Sequence, residues 1–360
     1  MKHLRWLIYL MLCFATGIVL AAPPVFSKVT QGRSLSFPRD FGAHPDFKTE
    51  WWYATGWLQT PDGKPLGFQV TFFRSATEHD TKNTSRFAPK QLIIAHAALS
   101  DMAVGKLQHD QKISRSGFGR AFADDATTNV KLDSWSMQRA GAGDGRYQIQ
   151  LPARDFTLSL TLQPTQAVML QGDSGYSRKG ALSEQASYYY SEPQLAVSGT
   201  ITRRGKPVQV TGNAWLDHEW SSTVLDKNAV GWDWVGLNLA DGGALMAFQI
   251  RSSEGKPVWQ HATLRDAKGR MQSIDQSRIR FVPLKQWRSP RTGASYPTSM
   301  QIIIDDVHWE VVPLQNDQEL DSRLSTGSVY WEGAVKVLRN GQPAGHGYLE
   351  MTGYLKALKL

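Results

Sequence analysis

The chain has 360 residues and a single cysteine, Cys13, so its length allows two ordinary domains while a disulfide framework is excluded. The formal net charge is +8, but the basic residues are dispersed along the chain, and we expect no nucleic-acid partner. The sequence also lacks a Gly-x-Ser-x-Gly motif, a glycine-rich phosphate loop and a His-Glu-x-x-His motif, and we predict neither a cofactor nor a metal.

The first predicted element is an N-terminal leader. Lys2 and Arg5 precede an almost wholly apolar stretch, residues 6–20, which ends on the small residues Ala21 and Ala22. This order is typical of a secretory signal peptide, and the stretch is short for a membrane span. We therefore predict a signal peptide over residues 1–22 and a mature protein that is periplasmic or secreted. Membrane contact is expected only if the leader stays uncleaved.

An internal repeat follows. When the sequence is shifted by 180 positions, Trp52 and Gly56 align with Trp232 and Gly236, and each segment leads through an Asp-Gly turn into an apolar run. Two apolar runs around such a turn predict a β-hairpin. A weaker similarity relates later parts of the two halves. We infer that one domain is duplicated in tandem.

Strand-like alternation dominates the rest of the chain. Phe156, Leu158, Leu160 and Leu162 alternate with polar residues, and no long helical pattern occurs after the leader. The predicted fold class is all-β, with two tandem antiparallel β-barrel-like or sandwich domains after the signal peptide. We place these domains at residues 23–225 and 226–360.

The densest cluster of polar and aromatic residues is the segment Trp-Leu-Asp-His-Glu-Trp that begins at Trp215. On a strand, Asp217 and Glu219 share one face, while His218 and Trp220 share the other. A histidine beside an indole could orient water or support a cation, so His218, Trp220 and Asp217 are candidate catalytic residues. The alternative is structural, with His218 capping a strand end and the acids paired to arginines.

A second cluster, Glu50-Trp51-Trp52-Tyr53, begins with an acid. An apolar wall would disfavour the charged form of Glu50 and make it a candidate proton donor, although paired tryptophans also suit a core. His44, His96 and His218 could converge on a metal, but their spacing does not support this. The candidate ligand-binding residues are Trp52, Tyr53, His96, Tyr189, Trp232 and Trp234.

Four segments together resemble the AttH family, a group that includes carotenoid 1,2-hydratase. They are residues 50–53, 189–193, 215–220 and 347–354, and the resemblance covers nearly the whole mature chain. It implies two tandem lipocalin-like (calycin) barrels in an exported protein. It also implies permease components of an ABC transporter as partners.

The hydratase branch adds water to an acyclic carotenoid without a redox cofactor. Protonation of the alkene gives a tertiary cation, which aromatic faces hold until water captures it. The resemblance matches His218 and Trp220 to the His-x-Trp motif of that branch. The accompanying Tyr-x-Asp pair has no counterpart in residues 243–249, and the nearest acid is Asp233 on the preceding strand.

Three functions follow as hypotheses. The favoured one is an envelope protein that binds a hydrophobic small molecule, isoprenoid-like or lipid-like, inside a barrel. The alternative is a cofactor-independent acid–base enzyme, a hydratase, cyclase or isomerase, acting on an isoprenoid-like substrate. The third is an interaction protein whose barrels are filled and whose surface docks on a membrane complex.

Overall fold

The computed structural model describes residues 25–77, 83–140, 143–223 and 225–358, so the predicted leader lies outside the described residues. This part of the chain is almost wholly β, with two short 3-10 helices, Arg39–Phe41 and Gln276–Arg278, and no α-helix. No helix within these ranges is long and apolar enough to cross a membrane.

The strands before residue 224 form one antiparallel sheet. They are β1 (Thr49–Gln59), β2 (Pro65–Ala76), β3 (Gln91–Asp101), β4 (Gln108–Arg115), β5 (Ala121–Ala123), β6 (Asn129–Leu132), β7 (Trp135–Arg139), β8 (Tyr147–Pro152), β9 (Phe156–Gln163), β10 (Met169–Leu170), β11 (Tyr176–Arg178), β12 (Ala186–Arg203) and β13 (Lys206–Thr223).

The strands after residue 224 form a second antiparallel sheet. They are β14 (Ala229–Leu239), β15 (Ala244–Ser252), β16 (Pro257–Arg265), β17 (Met271–Ile274), β18 (Ile279–Arg288), β19 (Ser295–Ile304), β20 (Val307–Pro313), β21 (Glu319–Ser322), β22 (Ser328–Arg339) and β23 (Gln342–Met351). The predicted domain boundary at residue 225 falls between the two sheets.

Each sheet curls towards a barrel. The first runs in the order β4-β3-β2-β1-β13-β12-β9-β8-β7-β6-β5. The edge strand β4 contacts the far part of the sheet: its Asp110 lies 3.4 Å from Arg154, between β8 and β9, and its Lys112 lies 5.0 Å from the centre of the Trp135 ring of β7. The second runs β17-β16-β15-β14-β23-β22-β20-β19-β18. The predicted all-β fold with two tandem barrel-like domains is confirmed.

The two halves repeat the same strand pairing, but not at the predicted offset. β1 lies between β2 and β13, and β14 lies between β15 and β23. Trp52, however, packs inside the first barrel, whereas Trp232 lies on the outside of the second. A shift of one residue exchanges the two faces of a strand, so the 180-position alignment is wrong by one residue in this hairpin. An offset one position longer pairs Leu58 with Leu239, which both face inwards.

Apolar side chains fill the interior of each barrel. A third cluster lies between the barrels, where the outer faces of the two sheets meet; it includes Tyr53, Trp57, Tyr189, Trp215, Trp234, Phe248 and Tyr348. An outer sheet face normally meets water and is polar. Here it is aromatic because the other barrel covers it.

Candidate functional site

A cavity of about 370 Å³ lies between the outer faces of the two barrels. Strands β1, β2, β3 and β13 form one wall, and β14, β15, β22 and β23 form the other. Its aromatic lining consists mainly of Trp51, Tyr53, Phe73, Trp232, Trp234 and Phe248. The sequence predicts a ligand inside a barrel, whereas this cavity lies between the barrels.

Strand alternation decides which side chains reach this cavity. On β1, Trp51 and Tyr53 face the cavity, while Trp52 faces the first barrel's core. On β13, Asp217 faces the cavity and Leu216 faces the core. The site is therefore built from residues that a single barrel would expose to solvent.

Asp217 is an acid held at the cavity wall by three donors. Its Oδ1 accepts hydrogen bonds from Ser191 Oγ (2.5 Å) and Trp215 Nε1 (2.6 Å), and its Oδ2 accepts one from Tyr189 (2.7 Å). Burial raises the pKa of Asp217 to about 7, against the lowering effect of these three donors. Tyr189 in turn accepts a hydrogen bond from Trp234 Nε1 at 3.1 Å, which connects Asp217 to the second barrel.

Two more acids, Glu332 on β22 and Glu350 on β23, stand directly opposite each other in the strand register. Tyr53 donates to Glu332 Oε2 at 2.7 Å, and Trp232 Nε1 donates to Glu350 Oε1 at 3.1 Å. Burial raises the pKa of Glu350 to about 8, with the charges of Asp217 and Glu219 adding to the effect. Burial, followed by the charge of Glu350, also raises the pKa of Glu332 well above its ordinary value. Glu350 therefore holds a proton near neutral pH, and burial favours the protonated form of Glu332 as well.

A buried ion pair completes the polar lining. Lys179 Nζ lies 2.9 Å from Glu219 Oε1 and 3.2 Å from Ser177 Oγ. The same ammonium lies 4.2 Å from the centre of the Phe248 ring and 4.8 Å from that of Tyr189. Lys179 is thus neutralised by one acid and held over two aromatic faces.

His96 lines the cavity as a neutral imidazole. Its Nδ1 lies 2.5 Å from the hydroxyl of Tyr330, and its Nε2 lies 2.9 Å from Ser325 Oγ. Burial lowers the pKa of His96 to about 3. The residue therefore connects β3 of the first barrel to β22 of the second without carrying charge.

Glu50 lies at the centre of a separate buried cluster, on the inner side of β1. Its Oε1 is 2.7 Å from His44 Nδ1 and 2.8 Å from His218 Nε2, and Arg74 Nε donates to its Oε2 at 2.8 Å. Burial alone would raise the pKa of Glu50, but the hydrogen bonds from His218 and His44 and the charge of Arg74 hold it well below the ordinary value. Burial lowers the pKa of His218 to about 4, against the opposing effect of Glu50.

The ligand atoms of His44, Glu50 and His218 lie within 4.8 Å of one another, so this triad could in principle hold a metal. The second nitrogen of each histidine is also occupied, by Asp40 at 3.0 Å and by a tyrosine hydroxyl at 3.0 Å. A cation placed here would face the guanidinium of Arg74 directly. The arrangement fits a closed hydrogen-bonded network better than a metal centre.

The structure divides the predicted catalytic residues. Asp217 lines the cavity, whereas His218 and Trp220 face the opposite side of β13. The Glu50 residue borders the cavity, but its carboxylate is enclosed by the cluster above. Asp233 faces the interior of the second barrel, where Arg251 Nε lies 2.9 Å away and Gln249 donates to it at 2.7 Å.

The predicted ligand-binding residues divide similarly. Those that line the cavity are Tyr53, His96, Trp232 and Trp234. Tyr189 lies behind the wall and reaches it through Asp217 and Trp234. Trp52 does not reach it, because it is buried inside the first barrel and stacked on His218 at 4.6 Å between ring centres.

Five charged residues of the cavity were not selected from the sequence: Arg74, Lys179, Glu219, Glu332 and Glu350. Glu332 follows Tyr330 and Trp331, an aromatic run that could have drawn attention to it, and Glu350 aligns with Asp217 in the internal repeat. Nothing in the local sequence around Lys179 distinguishes it. Its role depends on the packing of two distant segments.

Comparison with known proteins identifies the family of this chain. The family model described as AttH-like matches residues 28–354. The chain belongs to the AttH-like family. No curated protein matches the sequence.

Solved structures show how far the similarity extends. A protein designated AttH from Nitrosomonas europaea is 56% identical, with a TM-score of 0.86 over 91% of this chain and 100% of that one. Kievitone hydratase from Nectria haematococca is 14% identical, with a TM-score of 0.70 over 93% of this chain and 98% of that one. The protein CghA, solved with Sch210972, is 13% identical, with a TM-score of 0.52 over 86% and 89% of the two chains. At these lower identities the likeness concerns the fold.

Proposed function

We propose that this chain is an exported protein that binds a predominantly apolar small molecule, isoprenoid-like or lipid-like, in the cavity between its two barrels. The observation that carries the proposal is the cavity of about 370 Å³, walled by tryptophan, tyrosine and phenylalanine from both sheets. Ligand sites are typically concave and mostly apolar, with a few polar groups that fix orientation, and their volumes begin at about 300 Å³.

Export and a transporter partner form part of the same proposal. The order of residues in the predicted leader supports export, and the family resemblance supports delivery of the ligand to or from an ABC transporter. Both are tested by fractionating the native host and by co-purification with permease components. Recovery of the protein in the cytoplasm alone would remove this part of the proposal.

The binding site is tested by filling it. Ser328 lies on the cavity wall, and its replacement, Ser328→Trp, should occupy the space that the ligand needs. The matched control is Ser253→Trp, in the exposed turn between β15 and β16. Native mass spectrometry of protein from its own host should show a bound lipid or isoprenoid in the parent and control, and none in Ser328→Trp. Equal loading of all three proteins would exclude the cavity as the site.

A second candidate function is acid–base catalysis on an isoprenoid-like substrate, as in a hydratase, cyclase or isomerase. The specific observation in its favour is that Asp217 and Glu350 face an aromatic cavity with pKa values of about 7 and 8. Such acids can donate a proton to an alkene near neutral pH, and the aromatic walls can hold the resulting cation. The name of the structural neighbour kievitone hydratase is consistent with this class of reaction.

The enzyme hypothesis is tested by turnover of polyene and prenylated substrates by the parent and by Asp217→Asn. Loss of turnover in the variant, with ligand binding retained, would support catalysis. The control is Asp62→Asn in the exposed β1–β2 turn. An unchanged rate in Asp217→Asn would remove Asp217 from the reaction.

A further inference from the structure

Acidic side chains outnumber basic side chains at the cavity. Five acidic residues border it, Glu50, Asp217, Glu219, Glu332 and Glu350, together with the cations Lys179 and Arg74. Lys179 pairs with Glu219, and the other cation at the wall, Arg74, pairs with Glu50. Among the described residues, no lysine, arginine or histidine forms an ion pair with Asp217, Glu332 or Glu350. Within the part of the chain that the structure describes, these three acids therefore lack a protein cation.

The Glu332–Glu350 pair is the most unusual part of this arrangement. The two residues face each other across β22 and β23, a position where like charges destabilise a sheet. Each carboxyl accepts one side-chain hydrogen bond, from Tyr53 or Trp232. Glu332 is 1% exposed, whereas Glu350 is partly exposed to the cavity. A ligand in the cavity can therefore reach the pair through Glu350.

The surroundings suit a positive charge. Trp232, Trp234 and Tyr53 lie around the acids, and an aromatic face attracts a cation within about 6 Å of its centre. The ammonium of Lys179 already occupies such a position over Phe248, which shows that this lining accepts a cation.

The spacing of the acids argues against a metal ion. Within the described ranges, the group of potential ligands that converges closely enough is His44, Glu50 and His218, which lies on the other side of β1. Asp217, Glu332 and Glu350 do not form such a group within the described ranges. An organic cation does not require its acids to converge on one point, because its charge is diffuse and its body needs apolar contact.

We propose that the cavity binds an amphiphilic organic cation, with its ammonium group at the Glu332–Glu350 pair and its apolar body against the aromatic walls. This inference rests on the proposed ligand-binding function and names the ligand class. Asp217 provides a further negative charge near the pair when it is ionised.

Binding of a cation is then linked to proton release. Burial favours the protonated form of both glutamates, and a fixed positive charge favours the ionised form, so binding displaces a proton from Glu350. The other titratable groups at the cavity are Glu50, Asp217, Glu219, Lys179, Arg74, His96, Tyr53 and Tyr330, and Tyr348 interacts electrostatically with Glu332. Of these, Asp217 has a pKa of about 7 and adds to the same dependence. Affinity should rise with pH by up to about tenfold per pH unit below the pKa of about 8 of Glu350.

The test compares three ligands with the same ten-carbon chain: decyltrimethylammonium, decanol and decanoate, each below its micelle concentration. Titration calorimetry in two buffers with different ionisation heats measures both affinity and released protons. We expect the ammonium to bind at least about tenfold more tightly than decanol, with decanoate weakest, and its affinity to rise between about pH 6 and about pH 8.

Variants measure the contribution of the Glu332–Glu350 pair to binding separately from that of the rest of the cavity. Glu350→Gln and the double variant with Glu332→Gln keep the side-chain shape and should lose the preference for the ammonium over decanol. Glu254→Gln, in the exposed β15–β16 turn, is the matched control. The single variant provides the test if the double variant does not fold.

The outcomes are distinguishable. Equal binding of ammonium and decanol, or a preference that survives in Glu350→Gln, overturns the inference and leaves the proposed ligand-binding function intact. Binding of none of the three ligands, in a folded protein freed of endogenous lipid, counts against the proposed function itself.

Discussion

Glu350 gives the sharpest test of how the buried acids affect stability. Its ordinary pKa is 4.5, and burial raises it to about 8 in the folded protein. Between these pH values the folded protein binds more protons at this residue than the unfolded chain does. The free energy of unfolding therefore falls as pH rises through this interval, by about 1.4 kcal/mol per pH unit. At pH 7 the accumulated loss is about 3 kcal/mol.

The substitution Glu350→Gln removes the ionisable group and keeps a side chain that can accept the hydrogen bond from Trp232. We expect the variant to be more stable than the parent by about 3 kcal/mol at pH 7 and by more towards pH 8, and the difference to vanish near pH 4.5. Urea unfolding followed by tryptophan fluorescence at several pH values measures this difference. A variant that is less stable at every pH, or parallel pH profiles for both proteins, would refute the reasoning.

Three further predictions concern other parts of the fold and site. Glu50→Gln should destabilise the protein by about 3–5 kcal/mol in urea unfolding, because it leaves the buried Arg74 guanidinium without its counter-charge; a loss under about 1 kcal/mol would contradict this. Asp217→Asn should flatten the fall in stability between pH 4 and pH 7, since burial raises the pKa of this acid to about 7; an unchanged pH profile of Tm would count against it. Gly67→Val should weaken the contact between the barrels and lower ligand affinity, because even a Cβ at Gly67 would lie 2.5 Å from Ala334 Cβ; unchanged affinity in calorimetry would show that the contact tolerates the added bulk.

Strand alternation made the fold class and the face assignments of β13 predictable. The sequence separated Asp217 from His218 correctly, because successive side chains on a strand point to opposite sides. The same alternation explains why the alignment of the two halves at 180 positions assigned the wrong faces in β1 and β14. An alignment at 180 positions matched Trp52 with Trp232, but a register difference of one residue places them on opposite faces.

The location of the site could not be deduced from either half alone. Alternation shows that Tyr53 and Asp217 leave their barrel's core, and on an isolated barrel such residues meet water. Only the packing of β22 and β23 against β1 brings Glu332 within 2.7 Å of Tyr53. The two residues are separated by 279 positions, so no local sequence pattern predicts their contact.

The pairing of Glu50 with His44, His218 and Arg74 was not predicted from the sequence. The sequence suggested that an apolar wall would raise the pKa of Glu50 and make it a proton donor. The structure instead surrounds the carboxylate with His44, His218 and Arg74, which lower its pKa. The cluster is buried, and Trp52 stacks on His218. The hydrogen bonds to Glu50 and the charge of Arg74 nevertheless lower the pKa of Glu50 more than burial raises it.

The central claim is that an apolar ligand occupies the space between the barrels. A crystal structure of the protein with a bromine-labelled decanol tests this most directly, because the anomalous scattering of bromine locates the chain without interpretation of weak density. The account predicts a bromine peak within the cavity bounded by Trp232, Phe248 and Tyr330. A peak inside either barrel's core, or bound ligand only on the outer surface with the cavity empty, would contradict it.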